Sequence, residues 1–147
     1  MDTFAFDLAE TAHAMRREFD RRAAALGVTR PQWRVLARLA RRDGVRQIEL
    51  ADALDLEPIT LSRMIDRLAE AELVERRPDE SDRRAWNVWL TPKARPLIDK
   101  LWTIGSAFLA DALEDISDED RRTTERVLAG IRNNLSKSGG EAARKAS

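Results

Sequence analysis

Residues 46–91, RQIELADALDLEPITLSRMIDRLAEAELVERRPDESDRRAWNVWLT, decide how the rest of the chain is read. Pro58 has a fixed φ and no N–H, so it suits the first turn of a helix starting near Glu57. At a helical advance, Leu61, Met64, Ile65 and Leu68 share one face and need something to bury it against. Gln47 to Leu54 offers that partner as a shorter helix with Ile48, Ala51 and Leu54 turned inward. Downstream the period changes to two. Leu73 to Arg77 alternates apolar and charged residues, and Trp86 to Leu90 does so again with Trp86, Val88 and Leu90 on one side. Pro78-Asp79-Glu80-Ser81-Asp82-Arg83-Arg84 lies between them, too charged to be buried. Helix, tight turn, helix, strand, charged loop, strand is a winged helix-turn-helix: mainly α with a small β wing.

The outer face of the second helix carries Ile59, Arg63, Asp66 and Glu70, flanked by Thr60, Ser62 and Arg67. An ordinary amphipathic helix with one exposed aliphatic fits this pattern, since scattered exposed aliphatics are normal. So does a helix whose N-terminal end enters a major groove, where Ile59 touches a thymine methyl and Arg63 reaches guanine O6 and N7.

The loop adds specificity. LADALDLEPITLSRMIDRLAEAELVERR, then DESDRR, then WLTPKA closely resembles the MarR family of bacterial transcription regulators, particularly its SlyA-like branch, and the resemblance covers nearly the whole chain. It implies that Arg83 is a wing-tip arginine inserted into a minor groove, where a narrow A·T-rich groove concentrates negative potential. It also implies that Asp82 and Arg84 shape the wing and touch the backbone, and that the start of the first helix meets a phosphate with help from Arg46 or Gln47. A ligand-released homodimer is the family's habit, with a small aromatic acid or related metabolite bound between dimerisation helices and winged domain. Three residues depart from the family pattern. Glu72 stands where Gly is usual after the recognition helix, at a cost of roughly 1 kcal/mol if it takes a left-handed conformation. Ala94 replaces a common Gly, and Arg46 replaces the usual Thr or Ser cap.

With 147 residues and 43% hydrophobic content, the chain can build one domain or a compact two-part unit. No apolar run spans a membrane and the N-terminus does not read as a signal peptide, so a cytoplasmic protein is expected. The absence of cysteine excludes a disulfide frame and a thiol switch, and one histidine makes a structural zinc site unexpected. No cofactor is implied. Lys plus Arg equals Asp plus Glu at 26 each, and residues 30–84 balance at twelve each, so net charge carries no nucleic-acid signature. DNA binding has to rest on the placement of Arg63, Arg67, Arg76, Arg77, Arg83 and Arg84. The stretch Asp111 to Asp120 holds six carboxylates and no cation, so it is expected to face away from DNA.

Residues 3–26 contain no Pro or Gly, and Leu8, Ala12, Met15, Phe19 and Leu26 form one helical stripe closed by Gly27. Thr29 and Gln32 offer a capping box for the next helix, whose inner face is read as Trp33, Leu36, Ala37 and Ala40. After the wing, Thr91 caps and Pro92 starts a helix, while Pro96 either kinks it or delays its regular part to near Arg95. Leu97, Leu101, Ile104, Phe108 and Ala112 continue a stripe to Ile116. Ser117-Asp118-Glu119-Asp120 starts the last helix, with Thr124, Val127, Leu128, Ile131 and Leu135 as its apolar face. The expected organisation is a dimerisation helix over 1–29, the winged domain over 30–92, dimerisation helices over 93–136 and a flexible tail over 137–147. Leu8, Phe19, Leu101, Phe108, Leu128 and Ile131 are the candidate homodimer contacts.

Arg16, at the edge of the first stripe, and Trp33 are the candidate effector residues, a guanidinium for a carboxylate beside a stacking wall. His13 reads as a surface residue, and Trp89 as a second contact to the dimer helices or as exposed. The expected function is a homodimeric DNA-binding regulator, more often a repressor, on a pseudo-palindromic operator of double-stranded DNA. A competing class is a winged-helix protein-interaction module without DNA affinity, supported by Asp66 and Glu70. An enzyme is not expected, because no nucleophile, metal cluster or phosphate loop is legible.

Overall fold

The computed structural model describes residues 3–145. The elements follow in the order α1 (Phe4–Ala23), a 3₁₀ turn (Ala24–Leu26), α2 (Arg30–Arg41), β1 (Val45–Arg46), α3 (Gln47–Ala53), α4 (Pro58–Glu70), β2 (Val74–Pro78), β3 (Trp86–Leu90), a second 3₁₀ turn (Pro92–Ala94), α5 (Arg95–Ala112) and α6 (Asp118–Lys145). Two compact units result, the first ending at Ala112 and the second beginning at Leu113. No helix among the described residues is long and apolar enough to cross a membrane.

Local chemistry sets the helix ends. The Gln32 N–H donates to Thr29 Oγ1 at 3.4 Å and the Thr29 N–H donates to Gln32 Oε1 at 3.1 Å, the reciprocal capping box legible in the sequence. Gly27 takes φ +70° after the first 3₁₀ turn. Glu72 takes φ +61° and closes α4 as a glycine would: its N–H donates to the Ala69 carbonyl, and the Leu73 N–H donates to Leu68, both at 2.9 Å. Lys93 secures this residue from the other side, its Nζ 2.7 Å from Glu72 Oε2, and that hydrogen bond lowers the Glu72 pKa. The regular part of α5 begins at Arg95, so Pro96 falls in its first turn, where no N–H is required. Thr91 does not cap with its side chain. Its hydroxyl donates instead to the Glu72 carbonyl at 2.5 Å, tying the end of the wing to the end of α4.

The core of the first unit joins every layer. Leu36, Leu39, Leu50, Leu61, Ile65, Leu68, Val35 and Val88 are fully buried, and Val74, Ala94, Ile98 and Leu101 continue the same cluster from the wing into α5. It therefore crosses the expected boundaries at 29/30 and 92/93, since Ala23 also belongs to it. Several inward assignments change. In α2 Val35 and Leu39 are buried and Ala37 is exposed; in α3 Leu50 replaces Ile48, which is 60% exposed. The reason is that the buried face of each helix is rotated from the stripe read in the sequence, a direction set by the elements that pack on it. Leu101, expected at a dimer contact, is 7% exposed within its own chain and packs in this core.

The sheet is three-stranded and antiparallel in the order β1-β3-β2, with Val45 opposite Val88 and Val74 opposite Leu90. The two-residue β1 was not legible in the sequence. Trp89 is half-buried: it packs on Gly44, where a Cβ would fall 2.4 Å from its Cζ2, and under Arg77, whose Cζ lies 4.8 Å from the indole centroid. Gly44 thus meets two demands, φ +67° and zero side-chain volume.

The second unit is described by itself. The Asp120 N–H donates to Ser117 Oγ at 3.1 Å, the N-terminal cap expected for α6. α6 contains no buried residue among those described; Val127 is 48% and Leu135 67% exposed, and Leu128 and Ile131 are intermediate. Its backbone stays helical to Lys145, past the expected tail boundary at 137, and Ala146 and Ser147 lie outside the described residues.

Candidate nucleic-acid interface

α4 and the wing present arginines of two kinds. Arg63 and Arg67 stand on the outer face of α4 and Arg83 and Arg84 at the wing tip, all exposed, and none of these guanidinium groups has a hydrogen bond or ion pair among the described residues. Arg76 and Arg77 are committed internally. Arg76 donates through Nε to Gln47 Oε1 at 2.8 Å, through Nη1 to Asp66 Oδ1 at 2.6 Å and through Nη2 to the Ser62 carbonyl at 3.0 Å. One side chain thus ties β2 to the starts of α3 and the middle of α4. Arg77 pairs with Glu75 and covers Trp89. Two of the six arginines that net charge left as candidates are therefore structural, and Asp66 is neutralised by one of them.

The rest of the expected reading surface is assembled on one side of the helix. Ile59, 62% exposed, and Thr60 lie in the first turn of α4, and Ser62 is half-buried under Arg76. Neither α3 nor α4 has a side-chain cap bond, Arg46 and Glu57 being the residues at the cap positions. A trough of about 280 Å³ runs between these helix starts and the wing, lined by Arg46, Gln47, Ile48, Pro58, Asp82, Arg84, Ala85 and Trp86. Exposed Ile48 and Trp86 give it apolar walls, and Arg84 stands at its rim. Sequence reading missed both walls, because Ile48 and Trp86 carry the periodicity of buried residues.

The wing tip is shaped by its own carboxylates. Asp82 Oδ1 accepts the Arg84 N–H at 3.0 Å, so Asp82 folds the turn through main chain, and it forms no ion pair with the Arg84 side chain. The Arg46 guanidinium, expected at a phosphate, engages Asp79 and Ser81. Gln47, the other expected backbone contact, has its carbonyl oxygen taken by Arg76 while its amide group remains.

Away from this surface, Trp33 and Arg16 both act on Asp20, by different means. The Trp33 indole N–H donates to Asp20 Oδ1 at 2.7 Å, and Arg30 pairs with the other oxygen of the same carboxylate. Burial pushes the Asp20 pKa up, but the two hydrogen bonds together with the charges of Arg30 and Arg16 outweigh it and the net shift is downward. Arg16 is exposed and touches Asp20 only through its field. Trp33 does border a small cavity of about 120 Å³, whose other walls are Phe19, Ala37, Ile98, Leu101, Trp102 and Gly105. Phe19 meets Trp33 edge-on at 4.6 Å and Phe108 at 6.1 Å, so both expected dimer aromatics already pack within their own chain. Trp102 was not foreseen; its spacing of four from Ile98 was the available signal. His13 is exposed, as its position far round from the stripe implied. No group of three or more His, Cys, Asp or Glu capable of holding a metal occurs among the described residues.

Comparison with known proteins gives a consistent picture. Residues 28–86 match the MarR family. The crystal structure of transcriptional regulator PA3341 superposes with a TM-score of 0.84 at 39% identity, covering 91% of this chain and 98% of that one. A MarR transcriptional regulator from Methanosarcina mazei Go1 gives 0.79 at 26% identity over 92% and 99% of the two chains. The transcriptional regulator SlyA gives 0.79 at 21% identity, covering 93% of this chain and 96% of that one, a likeness of fold.

Proposed function

The chain belongs to the MarR family of winged-helix transcription regulators, and from that premise we propose that it binds a pseudo-palindromic operator as a homodimer and represses until a small aromatic ligand releases it. The observation that carries the DNA reading is the division among the arginines. Arg76 absorbs the Asp66 charge within the protein, while Arg63, Arg67, Arg83 and Arg84 stay open on the α4 face and wing tip. In this reading α4 enters the major groove, with Ile59 and Thr60 at base edges and Arg63 at a guanine. Arg83 enters the flanking minor groove, and the trough between α3, α4 and the wing seats the intervening phosphates against Gln47 and Arg84.

Dimerisation in this reading rests on exposed apolar residues, Phe6 and Leu8 on α1 and Val127 and Leu135 on α6, with half-buried Leu128 and Ile131 beside them on α6. Two subunits would place two α4 helices about one DNA turn apart. For the effector, the cavity beside Trp33 supplies aromatic walls and no cation, so the ring sits inside and any acid group points outward toward Arg16.

The test is a mobility-shift titration against the DNA upstream of the gene at two salt concentrations, with and without aromatic acids. Specific binding with a steep negative salt slope supports the regulator, and release by an acid supports the ligand. An acidic rim formed by Asp52, Asp55 and Glu57 beside Thr60 favours the interaction module as the second reading. No binding to operator or random duplex at low salt would select it.

A further inference from the structure

Arg46 is one of the residues that depart from the family pattern, and it occupies an unusual junction. It ends β1, where it pairs with Asn87 of β3, and it holds the cap position of α3. Its guanidinium turns away from the helix it caps, toward the wing. Nε lies 3.2 Å from Asp79 Oδ2, and Nη2 lies 3.3 Å from both Asp79 Oδ1 and Ser81 Oγ.

Asp79 is the most enclosed charged side chain of the wing tip, its side chain 11% exposed while Glu80 to Arg84 are all exposed. Its Oδ1 also accepts the Ser81 hydroxyl at 2.7 Å, the Ser81 N–H at 2.9 Å and the Asp82 N–H at 3.1 Å. The Asp79 N–H donates to the Ala85 carbonyl at 3.0 Å, and the Ala85 N–H to Asp82 at 3.0 Å. The Ser81 and Arg46 hydrogen bonds together hold the Asp79 carboxyl well below the usual carboxylate range. The tip is thus folded around one carboxylate, and that carboxylate is fastened to the start of the helix-turn-helix by one arginine. The strand ladder ends at Pro78 and Trp86, and the Asp79–Ala85 main-chain bond adds one closure at the base of the tip. Beyond them, Arg46 is the described side chain of the helix-turn-helix that reaches the tip.

We propose that Arg46 is a positioning residue for DNA recognition: through Asp79 it sets the pose of the wing tip relative to α3, and so determines how Arg83 enters the groove, without itself neutralising a phosphate. This rests on the DNA-binding reading above. A loop held in its bound pose loses less entropy on binding, so the latch contributes to affinity and selectivity through Arg83.

The sign of one substitution separates this from a phosphate contact. Asp79→Asn removes a negative charge from a DNA-facing surface and would strengthen binding by simple electrostatics. With the latch it weakens binding to an operator with A·T flanks about tenfold and reduces the preference over G·C flanks. Arg46→Lys keeps the charge but loses the fork geometry, and is expected to lower flank preference with the salt slope unchanged. In an Arg83→Ala background neither substitution changes binding further, because the latch acts through Arg83. All variants are compared as full-length protein with matched melting curves, and a merely structural role would not move flank preference. Tighter binding by Asp79→Asn, or a salt slope shallower by about one in Arg46→Thr, overturns the latch while leaving the DNA reading intact. Wild-type protein that binds no duplex overturns both.

Discussion

The winged head and α6 are built from the same kinds of residues and end in opposite states. In the head, Leu36, Leu39, Leu50, Leu61 and Leu68 are fully buried by their own chain. In α6, Val127 and Leu135 stand about half or more exposed, and no described residue is buried. An amphipathic stripe states only that a partner is needed. Helices α2, α3 and α4 find it within the chain, through short turns that return each helix onto the last. Taken by itself, the unit that holds α6 buries none of its described residues, which is the physical basis for proposing a second subunit.

Paired aspartate substitutions test that contrast with the largest effect. Leu101→Asp buries a carboxylate in the head's core and is expected to cost several kcal/mol, lowering the melting temperature sharply. Val127→Asp is expected to leave the fold of the head intact and shift sedimentation toward monomer. A Leu101→Asp protein that melts normally would show that α5 is not part of the core.

DNA binding comes next in size. Arg83→Ala is expected to weaken binding to A·T-flanked sites more than to G·C-flanked sites, and Arg63→Ala to relax base preference at one position per half-site by about 1–3 kcal/mol. Arg76→Ala serves as the contrast, since it frees Asp66 on the reading face and unties β2 from α4, so its loss is expected to be uniform across sequences. Equal behaviour of Arg63 and Arg76 variants in a binding-site selection would erase the distinction between open and committed arginines.

Glu72→Gly is a smaller change in the other direction. It removes the left-handed strain at φ +61° and an exposed ion pair with Lys93, so a net gain of up to about 1 kcal/mol in unfolding free energy, read as a higher denaturant midpoint, is expected. A loss would mean that the Lys93 contact outweighs the strain.

The smallest effect is acid-dependent. Hydrogen bonds from Arg21 and then Arg22 lower the Glu18 pKa from 4.5 to about 2. A depressed carboxylate stabilises the folded state above its unfolded pKa, and that contribution is lost as pH falls from about 4.5 through about 2. Arg22 also donates to Asp111 at 2.7 Å, fastening α1 to the end of α5. Glu18→Gln is expected to lower the melting temperature slightly near neutrality and to converge on wild type as pH falls from about 4.5 toward about 2, flattening the profile across that window.

Much of the head was legible because its signals are local. Pro58, the Thr29–Gln32 box, the two-residue alternation and the DESDRR tip each specify geometry within a few residues. Ile48 and Leu101 were misplaced for a different reason. A stripe gives the direction of an apolar face and leaves its partner open, so one residue read as buried is exposed and another read as an interface is core. Trp89 shows the same limit, since its partner Gly44 lies 45 residues away in sequence and meets it only once β1 pairs with β3.

By itself, then, the sequence determined the winged helix-turn-helix order, the starts of α2 and α4 and the exposed outer face of α4, all consequences of backbone propensity and periodicity over one or two turns. Only the tertiary structure decided which arginines remain open. Whether a guanidinium is free or committed depends on the acid it meets across the fold. Arg76 finds Asp66 and Arg46 finds Asp79 through strand pairing that no local rule contains, and Arg63 and Arg83 find none among the described residues.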